Sequence, residues 1–142
     1  MIQVKNSDII FGLLKHIYHP KLCLLIKYLS DVAGIYITEG YHPKKHKNDL
    51  HGTIPVRAID GRASIYTHPT IVADRINAKW KYDPSRPRFK CALYHARCPK
   101  CGADHKYAFL RDCEQCGRDI TNYWHIHFQT HPNTIFLKDG KV

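Results

Sequence analysis

The fold is decided by the stretch Trp124-His125-Ile126-His127-Phe128-Gln129. Its residues favour a β-strand, in which alternate side chains project from the same face. His125 and His127 would therefore lie side by side on one face, with apolar neighbours on the other. Imidazole is a frequent metal ligand and a proton carrier near neutral pH, so the stretch predicts one edge of a metal site or a catalytic site.

The chain has 142 residues, of which 44% are hydrophobic, and this suits a single domain over residues 1–142. No apolar run is long enough to span a bilayer. Lys5, Asp8 and Lys15 interrupt the apolar stretch that a secretion signal would need. We therefore expect a cytoplasmic protein, folded under reducing conditions and without membrane insertion.

The net charge of +10 favours an anionic partner, such as a cell-wall polymer, nucleic acid or a phosphorylated surface. The excess is concentrated between Lys79 and Lys100, where seven basic residues accompany one acidic residue and four aromatic rings. This mixture is typical of a surface that binds single-stranded nucleic acid. The favoured interpretation is nevertheless a solvated basic face whose aromatic residues enter the core.

Four of the six cysteines form two Cys-x-x-Cys-Gly motifs separated by eleven residues: Cys98, Cys101, Cys113 and Cys116. The spacing predicts a structural zinc ribbon over residues 97–120, with four thiolates closing a tetrahedral site. Gly102 and Gly117 permit the left-handed backbone that each turn requires. Two disulfides are the alternative, which a reducing compartment disfavours.

The other cysteines and the histidine of this segment are expected to have structural roles. Cys23 and Cys91 stand in apolar runs and are predicted to lie in the core. His105 lies between the two cysteine pairs and is predicted to be a surface residue.

Hydrophobic periodicity and turn residues predict an α+β fold, a small antiparallel or mixed sheet with flanking helices. The predicted elements are a helical segment over 1–19, a helix over 20–33, a strand over 35–38, a loop over 40–55, a strand over 56–63, a helix over 69–79, a strand over 90–95 and the His125 strand. The cysteine segment falls between the last two strands, so we expect it to be an insertion.

A second set of chemically active residues surrounds the strand predicted over 56–63. His51 precedes this strand and Asp60 lies within it. Two imidazoles and a carboxylate can hold zinc while leaving one position open for water, whose pKa the ion lowers to about 7.

At these residues the sequence resembles the zinc peptidase superfamily of D-Ala-D-Ala carboxypeptidases, phage L-alanyl-D-glutamate endolysins and the hedgehog signalling domain. The resemblance covers about residues 20–131. It rests on three motifs: Thr38-Glu39-Gly40-Tyr41-His42, then His51 with Arg57-Ala58-Ile59-Asp60, then His125-Ile126-His127.

The resemblance implies that His51, Asp60 and His127 are ligands of a catalytic zinc ion. It implies that His125 is the catalytic histidine. It also implies a substrate contact at His42, where relatives carry an arginine.

Two features of the sequence differ from the family or leave a choice open. Many relatives carry a glutamate at the position of Trp124, so proton transfer falls to His125, with Glu39 or His95 as less favoured alternatives. Arg57 is either a surface charge or a clamp for a substrate carboxylate.

The function implied by the resemblance is a zinc-dependent peptidase or amidase of the D,D- or L,D- type. It would act on bacterial cell-wall peptide, as phage or prophage endolysins made in a bacterial host do. One alternative is a non-catalytic zinc-binding module that docks nucleic acid or a protein partner. A His-x-His nickase is disfavoured, because no tyrosine nucleophile follows His127.

Overall fold

The computed structural model of the protein describes residues 1–5, 9 and 18–138. Within these ranges there are two α-helices, α1 (Pro20–Val32) and α2 (Pro69–Lys79). The strands are β1 (Ile2–Val4), β2 (Ile35–Glu39), β3 (Ala58–Arg62), β4 (Trp80–Lys81), β5 (Ala92–Arg97), β6 (Asp104–Lys106), β7 (His125–Gln129) and β8 (Ile135–Phe136). No helix in these ranges has the length and apolar character needed to cross a membrane.

Six of the strands form one mixed sheet in the order β1-β2-β3-β7-β5-β6. β1 runs parallel to β2, and the other neighbours are antiparallel. β4 and β8 pair with each other separately. The predicted α+β fold with a mixed sheet and flanking helices is thus confirmed, and β7 lies inside the sheet.

The first helix shows how the sequence sets an element's limits. Pro20 occupies its first turn, where the missing N–H costs nothing, and the Lys21 N–H is capped by His19 Nδ1 at 3.1 Å. The helix ends before Gly34, whose φ of 73° only glycine adopts without strain. Both predicted helices, over 20–33 and 69–79, are confirmed to within one residue.

The two isolated cysteines differ in their environment. Cys91 is fully buried, as predicted. The prediction that Cys23 is a core residue was wrong, because it lies on the solvent side of α1. Its neighbour Leu22 faces the core, and one step along a helix turns the next side chain by about 100°.

The two faces of the sheet have opposite character. Ile59, Ile126 and Phe128 are completely buried and belong to the hydrophobic core, together with residues of α1 and α2. Each such buried side chain contributes roughly 1.5–3 kcal/mol to stability. The alternate residues of the same strands, Asp60 on β3 and His127 on β7, therefore project from the opposite face.

The beginning of the chain differs from the sequence prediction. A helical segment was predicted over 1–19, but Ile2–Val4 is a strand paired with β2, with Ile2 opposite Ile35. The edge of β2 supplies unpaired backbone groups that a local helix could not satisfy. Of the remaining predicted segment, residues 6–8 and 10–17 lie outside the described residues.

The basic segment, residues 79–100, folds around a buried carboxylate. Asp83 is 5% exposed and accepts hydrogen bonds from the Ser85 N–H at 3.0 Å, the Ser85 hydroxyl at 2.8 Å and Arg86 Nε at 2.9 Å. The Ser85 hydroxyl bond is the main reason that the pKa of Asp83 falls to about 2. Of the aromatic residues in the segment, Trp80, Tyr82 and Tyr94 are buried and Phe89 is half exposed.

We expect Asp83→Asn to lower the melting temperature near pH 7 and to flatten the pH dependence of stability between about pH 4 and pH 2. The pKa of the folded carboxyl lies below the ordinary 3.8. Its contribution is therefore complete above that value and is lost as the pH falls through about 2. Thermal unfolding across this range measures the effect, and exposed Asp74→Asn is the control. The same pH slope in Asp83→Asn and wild type would contradict this account.

Candidate metal centres

Two groups of described residues could hold a metal ion. They are the four cysteines Cys98, Cys101, Cys113 and Cys116, and the set His51, Asp60 and His127. In each group the candidate ligand atoms lie within 4.8 Å of one another. The structure therefore brings together both sets of residues that the sequence analysis selected.

The cysteine group is built from two matching turns. The Gly102 N–H donates to the Cys98 carbonyl at 2.9 Å, and the Gly117 N–H donates to the Cys113 carbonyl at 2.8 Å. The two glycines have φ of 75° and 77°, as the motifs predicted. Each turn thus presents two sulfur atoms to the same point.

The sulfur positions fit a four-coordinate ion. The Sγ atoms of Cys98 and Cys116 are 3.5 Å apart, and so are those of Cys101 and Cys113. A tetrahedral site with zinc–sulfur bonds of about 2.3 Å needs sulfur atoms about 3.8 Å apart. All four cysteines are free, so the alternative of two disulfides is wrong. The group is consistent with zinc.

His105 belongs to this centre, and the prediction that it lies at the surface was wrong. It is buried, because β6 alternates and turns this one ring inward between exposed Asp104 and Lys106. Its Nε2 lies 3.3 Å from Cys113 Sγ. Burial raises the pKa of Cys113, but donation by the Cys116 N–H and the His105 ring outweighs it and lowers the pKa to about 6. The thiolate, which is the form that binds metals, is thereby favoured.

Trp124 attaches the cysteine segment to the sheet. Its indole N–H donates to the Leu110 carbonyl at 2.9 Å, and its ring packs against Tyr94 and Phe109. Trp124 lies on the core side of the chain, together with Ile126. Residue 124 therefore supplies a packing contact rather than a group for proton transfer.

The second group combines three separate parts of the chain. His51 lies in a short 3-10 turn (Leu50–Gly52), and β3 and β7 place Asp60 directly opposite His127. Asp60 Oδ1 is 2.9 Å from His127 Nδ1 and 3.4 Å from His51 Nε2, and the two nitrogens are 3.4 Å apart. Bonds of about 2.0–2.1 Å to zinc would separate such ligands by about 3.3 Å. The three atoms thus outline one face of a tetrahedron.

Hydrogen bonds outside the group fix which nitrogen of each ring is free. His51 Nδ1 donates to the Gly40 carbonyl at 2.7 Å. His127 Nε2 donates to Gln129 Oε1 at 3.1 Å, and Gln129 is oriented by its own donation to the Lys90 carbonyl at 2.8 Å. A neutral imidazole carries one proton, so the lone pairs of the inner nitrogens face each other. A cation between them satisfies both, and the residues present therefore fit a metal ion.

The electrostatics of the group centre on one carboxylate. Burial raises the pKa of Asp60, but this is outweighed by His127 and His51, which donate hydrogen bonds to the carboxylate when their rings are protonated, and the pKa lies well below the ordinary value. Burial lowers the pKa of His51, yet the net shift is upward because of Asp60 and the Gly40 carbonyl. Asp60 therefore remains ionised, as a metal ligand must.

Two supporting side chains were missed by the sequence analysis. Buried Asp49 shapes the turn that carries His51, accepting from the His51 N–H at 3.1 Å and the Lys45 N–H at 3.0 Å. Gln129 fixes the ring of His127. Strand alternation could have found Gln129, which lies two residues after His127, and Asp49 stands where a capping residue belongs. Nothing in the sequence marks the Gly40 carbonyl.

His125 lies beside the group rather than within it. Its Nδ1 donates to the Tyr123 carbonyl at 3.0 Å, and its Nε2 is 3.8 Å from Asp60 Oδ1. Asp60, His125 and Glu39 line a common cleft of about 450 Å³. The free Nε2 of His125 is thus available for proton transfer next to the candidate metal position.

His95, on the neighbouring strand β5, packs its ring against that of His125. The ring centroids are 4.4 Å apart, and His95 Nδ1 donates to Asp104 Oδ1 at 3.0 Å. Burial, reinforced by the adjacent His125 ring, lowers the pKa of His95. His95 is therefore a neutral support for His125 near neutral pH.

The two predicted substrate contacts occupy different places. His42 stacks on His51, with ring centroids 4.8 Å apart and planes inclined by 20°. Arg57 lines a second cleft of about 700 Å³, which also includes Gln129. His42 thus packs against a candidate ligand, whereas Arg57 lies beyond the other end of β7.

The chain matches no protein-family model, and it matches neither a curated protein nor a solved structure. Its chemistry is defined by the site itself. That site combines a three-ligand candidate metal position, which leaves a fourth coordination position open, with an adjacent histidine and a cleft on each side.

We expect the protein to bind two zinc ions per chain, one for each group. Cys113→Ala and His127→Ala should each retain a single ion, because each removes one ligand from a different group. Elemental analysis of dialysed protein measures the stoichiometry. A wild type with one ion that Cys113→Ala loses and His127→Ala keeps would show that the histidine group holds no metal.

We also expect Gln129→Ala to weaken zinc binding by the histidine group about 10–100-fold, since it frees the His127 ring to rotate and change tautomer. Competition with a chromophoric chelator measures the affinity. Exposed Gln3→Ala is the matched control. Unchanged affinity in Gln129→Ala would remove the role assigned to the Gln129 bond.

Proposed function

We propose that this protein is a zinc-dependent peptidase or amidase that hydrolyses the peptide of the bacterial cell wall. One observation carries the proposal. His51, His125 and His127 each commit one ring nitrogen to an acceptor outside the site and turn the other towards Asp60. A purely structural cluster has no need of three imidazoles with aligned lone pairs.

The two metal groups would have different tasks. Zinc held by His51, Asp60 and His127 would polarise the scissile carbonyl and make water a stronger nucleophile, which is the chemistry that amide hydrolysis requires. The four cysteines would use all coordination positions of their ion, so that site is structural. In this proposal the chain has the hedgehog/DD-peptidase-like fold, with residues 97–120 as an inserted zinc ribbon.

His125 is the residue to which we assign proton transfer. Its Nδ1–H is engaged by the Tyr123 carbonyl, so Nε2 is the nitrogen that accepts a proton from the attacking water. The same atom then returns the proton to the leaving amine nitrogen. Glu39 lines the same cleft, but its carboxylate is 3.5 Å from His42 Nε2 and close to Lys45, which leaves His125 as the better proton carrier.

The bacterial cell wall is favoured as the target by two features. The net charge of +10 promotes adsorption to an anionic wall polymer. The order of the motifs at His51, Asp60 and His125-Ile126-His127 is that of the carboxypeptidase and endolysin family. Both features support a phage or prophage endolysin-like role.

A non-catalytic docking module is the second candidate, and a surface feature of the cysteine segment favours it. Tyr107 is 78% exposed and Phe109 is 52% exposed, close in sequence to Lys106 and Arg111. Exposed aromatic rings among basic residues suit binding of nucleic acid or of a protein partner. Such a module would bind without turnover.

We expect His125→Ala to keep its zinc and to lose about 10²–10⁴-fold in hydrolytic rate, because it removes the proton carrier without touching a ligand. His127→Ala should lose both one zinc ion and activity. The measurement is the release of new amino groups from purified bacterial cell walls. Exposed His68→Ala is the control and should retain full activity.

Wild-type protein that carries two zinc ions and releases no amino groups would overturn the enzymatic proposal. Binding to walls or nucleic acid without any release would support the docking module instead. Activity equal to wild type in His125→Ala would remove its assigned role while leaving the metal site intact.

A further inference from the structure

The metal face of the sheet carries a cleft on each side of His127. His125 lines the cleft of about 450 Å³, and Gln129 lines the cleft of about 700 Å³. Alternate residues of a strand are about 7 Å apart along its axis. The larger cleft, here called the basic cleft, therefore begins about 7 Å beyond the candidate metal ligand.

The basic cleft is lined by positive charge. Its lining includes Lys44, Lys47, Arg57 and Arg86, and none of the described residues that line it is acidic. Arg86 is neutralised by its ion pair with Asp83 at 2.9 Å. Of the remaining three cations, Lys44 and Lys47 precede the His51 turn in sequence and Arg57 follows it. The fold brings all three to one cleft.

Arg57 has a feature that points to a ligand. Its Nε is buried and has no hydrogen-bond partner among the described residues. Burying a charged donor without an acceptor is costly, and a planar guanidinium pairs best with a carboxylate or phosphate through two parallel hydrogen bonds. Arg57 also lines the basic cleft, so an anion seated there would meet its guanidinium group.

The aromatic wall of the basic cleft limits the kind of anion. Tyr82 and Phe89 stack with centroids 5.7 Å apart, and Arg86 covers both rings. Tyr82 is buried and Phe89 is half exposed, so these two rings offer at most one partly covered face for stacking. Single-stranded nucleic acid binds by stacking successive bases on several open rings, which this wall does not offer. A compact anionic group fits better.

We propose that the basic cleft is the subsite for a free carboxylate of the peptide substrate, with Arg57 as its partner and Lys44 and Lys47 as supporting charges. This inference rests on the proposed hydrolytic function. An extended peptide advances about 3.3–3.6 Å per residue, so a distance of about 7 Å corresponds to two residues. The substrate class is therefore an acidic peptide whose carboxylate lies two or more residues from the scissile bond.

The test compares an acidic pentapeptide that carries one internal side-chain carboxylate with its carboxamide analogue. Binding is measured by fluorescence anisotropy to zinc-loaded His125→Ala protein, so that the probe is not consumed. We expect the carboxylate form to bind at least about tenfold more tightly, with a preference that weakens as salt is added. Equal affinity for the two peptides would overturn the proposal.

Variants assign the preference to the cleft. Arg57→Gln in the same background should reduce it to about twofold or less, and Arg57→Lys should restore it only in part, because Lys lacks the planar fork. The double variant Lys44→Gln/Lys47→Gln changes exposed residues and keeps the test valid if Arg57→Gln does not fold. Exposed Arg75→Gln is the control. A full preference in the folded Lys44/Lys47 and Arg57 variants would overturn the assignment.

Two further arms separate the possible failures. His127→Ala should lose zinc and hydrolysis but keep the carboxylate preference, so failure of the proposed function and failure of the cleft assignment give different results. A labelled oligothymidylate is the nucleic-acid probe. If it binds more tightly than the acidic peptide and loses affinity in Arg57→Gln, the cleft is a nucleic-acid groove and the carboxylate proposal is wrong.

Discussion

The antiparallel pairing of β3 with β7 sets Asp60 directly opposite His127, and the candidate metal site depends on that register. A shift of the strand pairing by one residue would turn Asp60 into the core and bring Ile59 to the face that carries His125 and His127. The register is enforced by apolar burial on the other side, where Ile59 meets Phe128. The hydrophobic core on one face of the sheet thus sets the positions of the polar ligands on the other face.

Orientation of the two histidines comes from groups that are not themselves candidate ligands. The carbonyl of Gly40 fixes His51, and the side chain of Gln129 fixes His127. Each bond costs little to make, but together they settle the tautomer of both rings before any cation arrives. The site is therefore preorganised. The conformational entropy of the ligand side chains is lost during folding, so little more is lost when a cation binds.

The elements and ligand sets that depend on local patterns could be predicted from the sequence. Strand alternation placed His125 and His127 on one face, and glycine after each cysteine pair predicted the two turns. What could not be predicted depends on distant partners. β1 forms on the edge of β2, and the buried ring of His105 lies against the sulfur of Cys113, eight residues away in sequence. Cys23 lies in an apolar run and is nevertheless exposed. The bond from Gln129 to Lys90 joins residues 39 apart.

That same bond connects two parts of the molecule that would otherwise act separately. Gln129 touches the His127 ring with one end and the backbone of the basic segment, at Lys90, with the other. Any occupant of the basic cleft that moves this backbone also changes how firmly the His127 ring is held. By thermodynamic reciprocity, the cation would alter the affinity for that occupant by the same factor. The bound cation and the occupant of the basic cleft would then influence each other's affinity through the side-chain amide of Gln129.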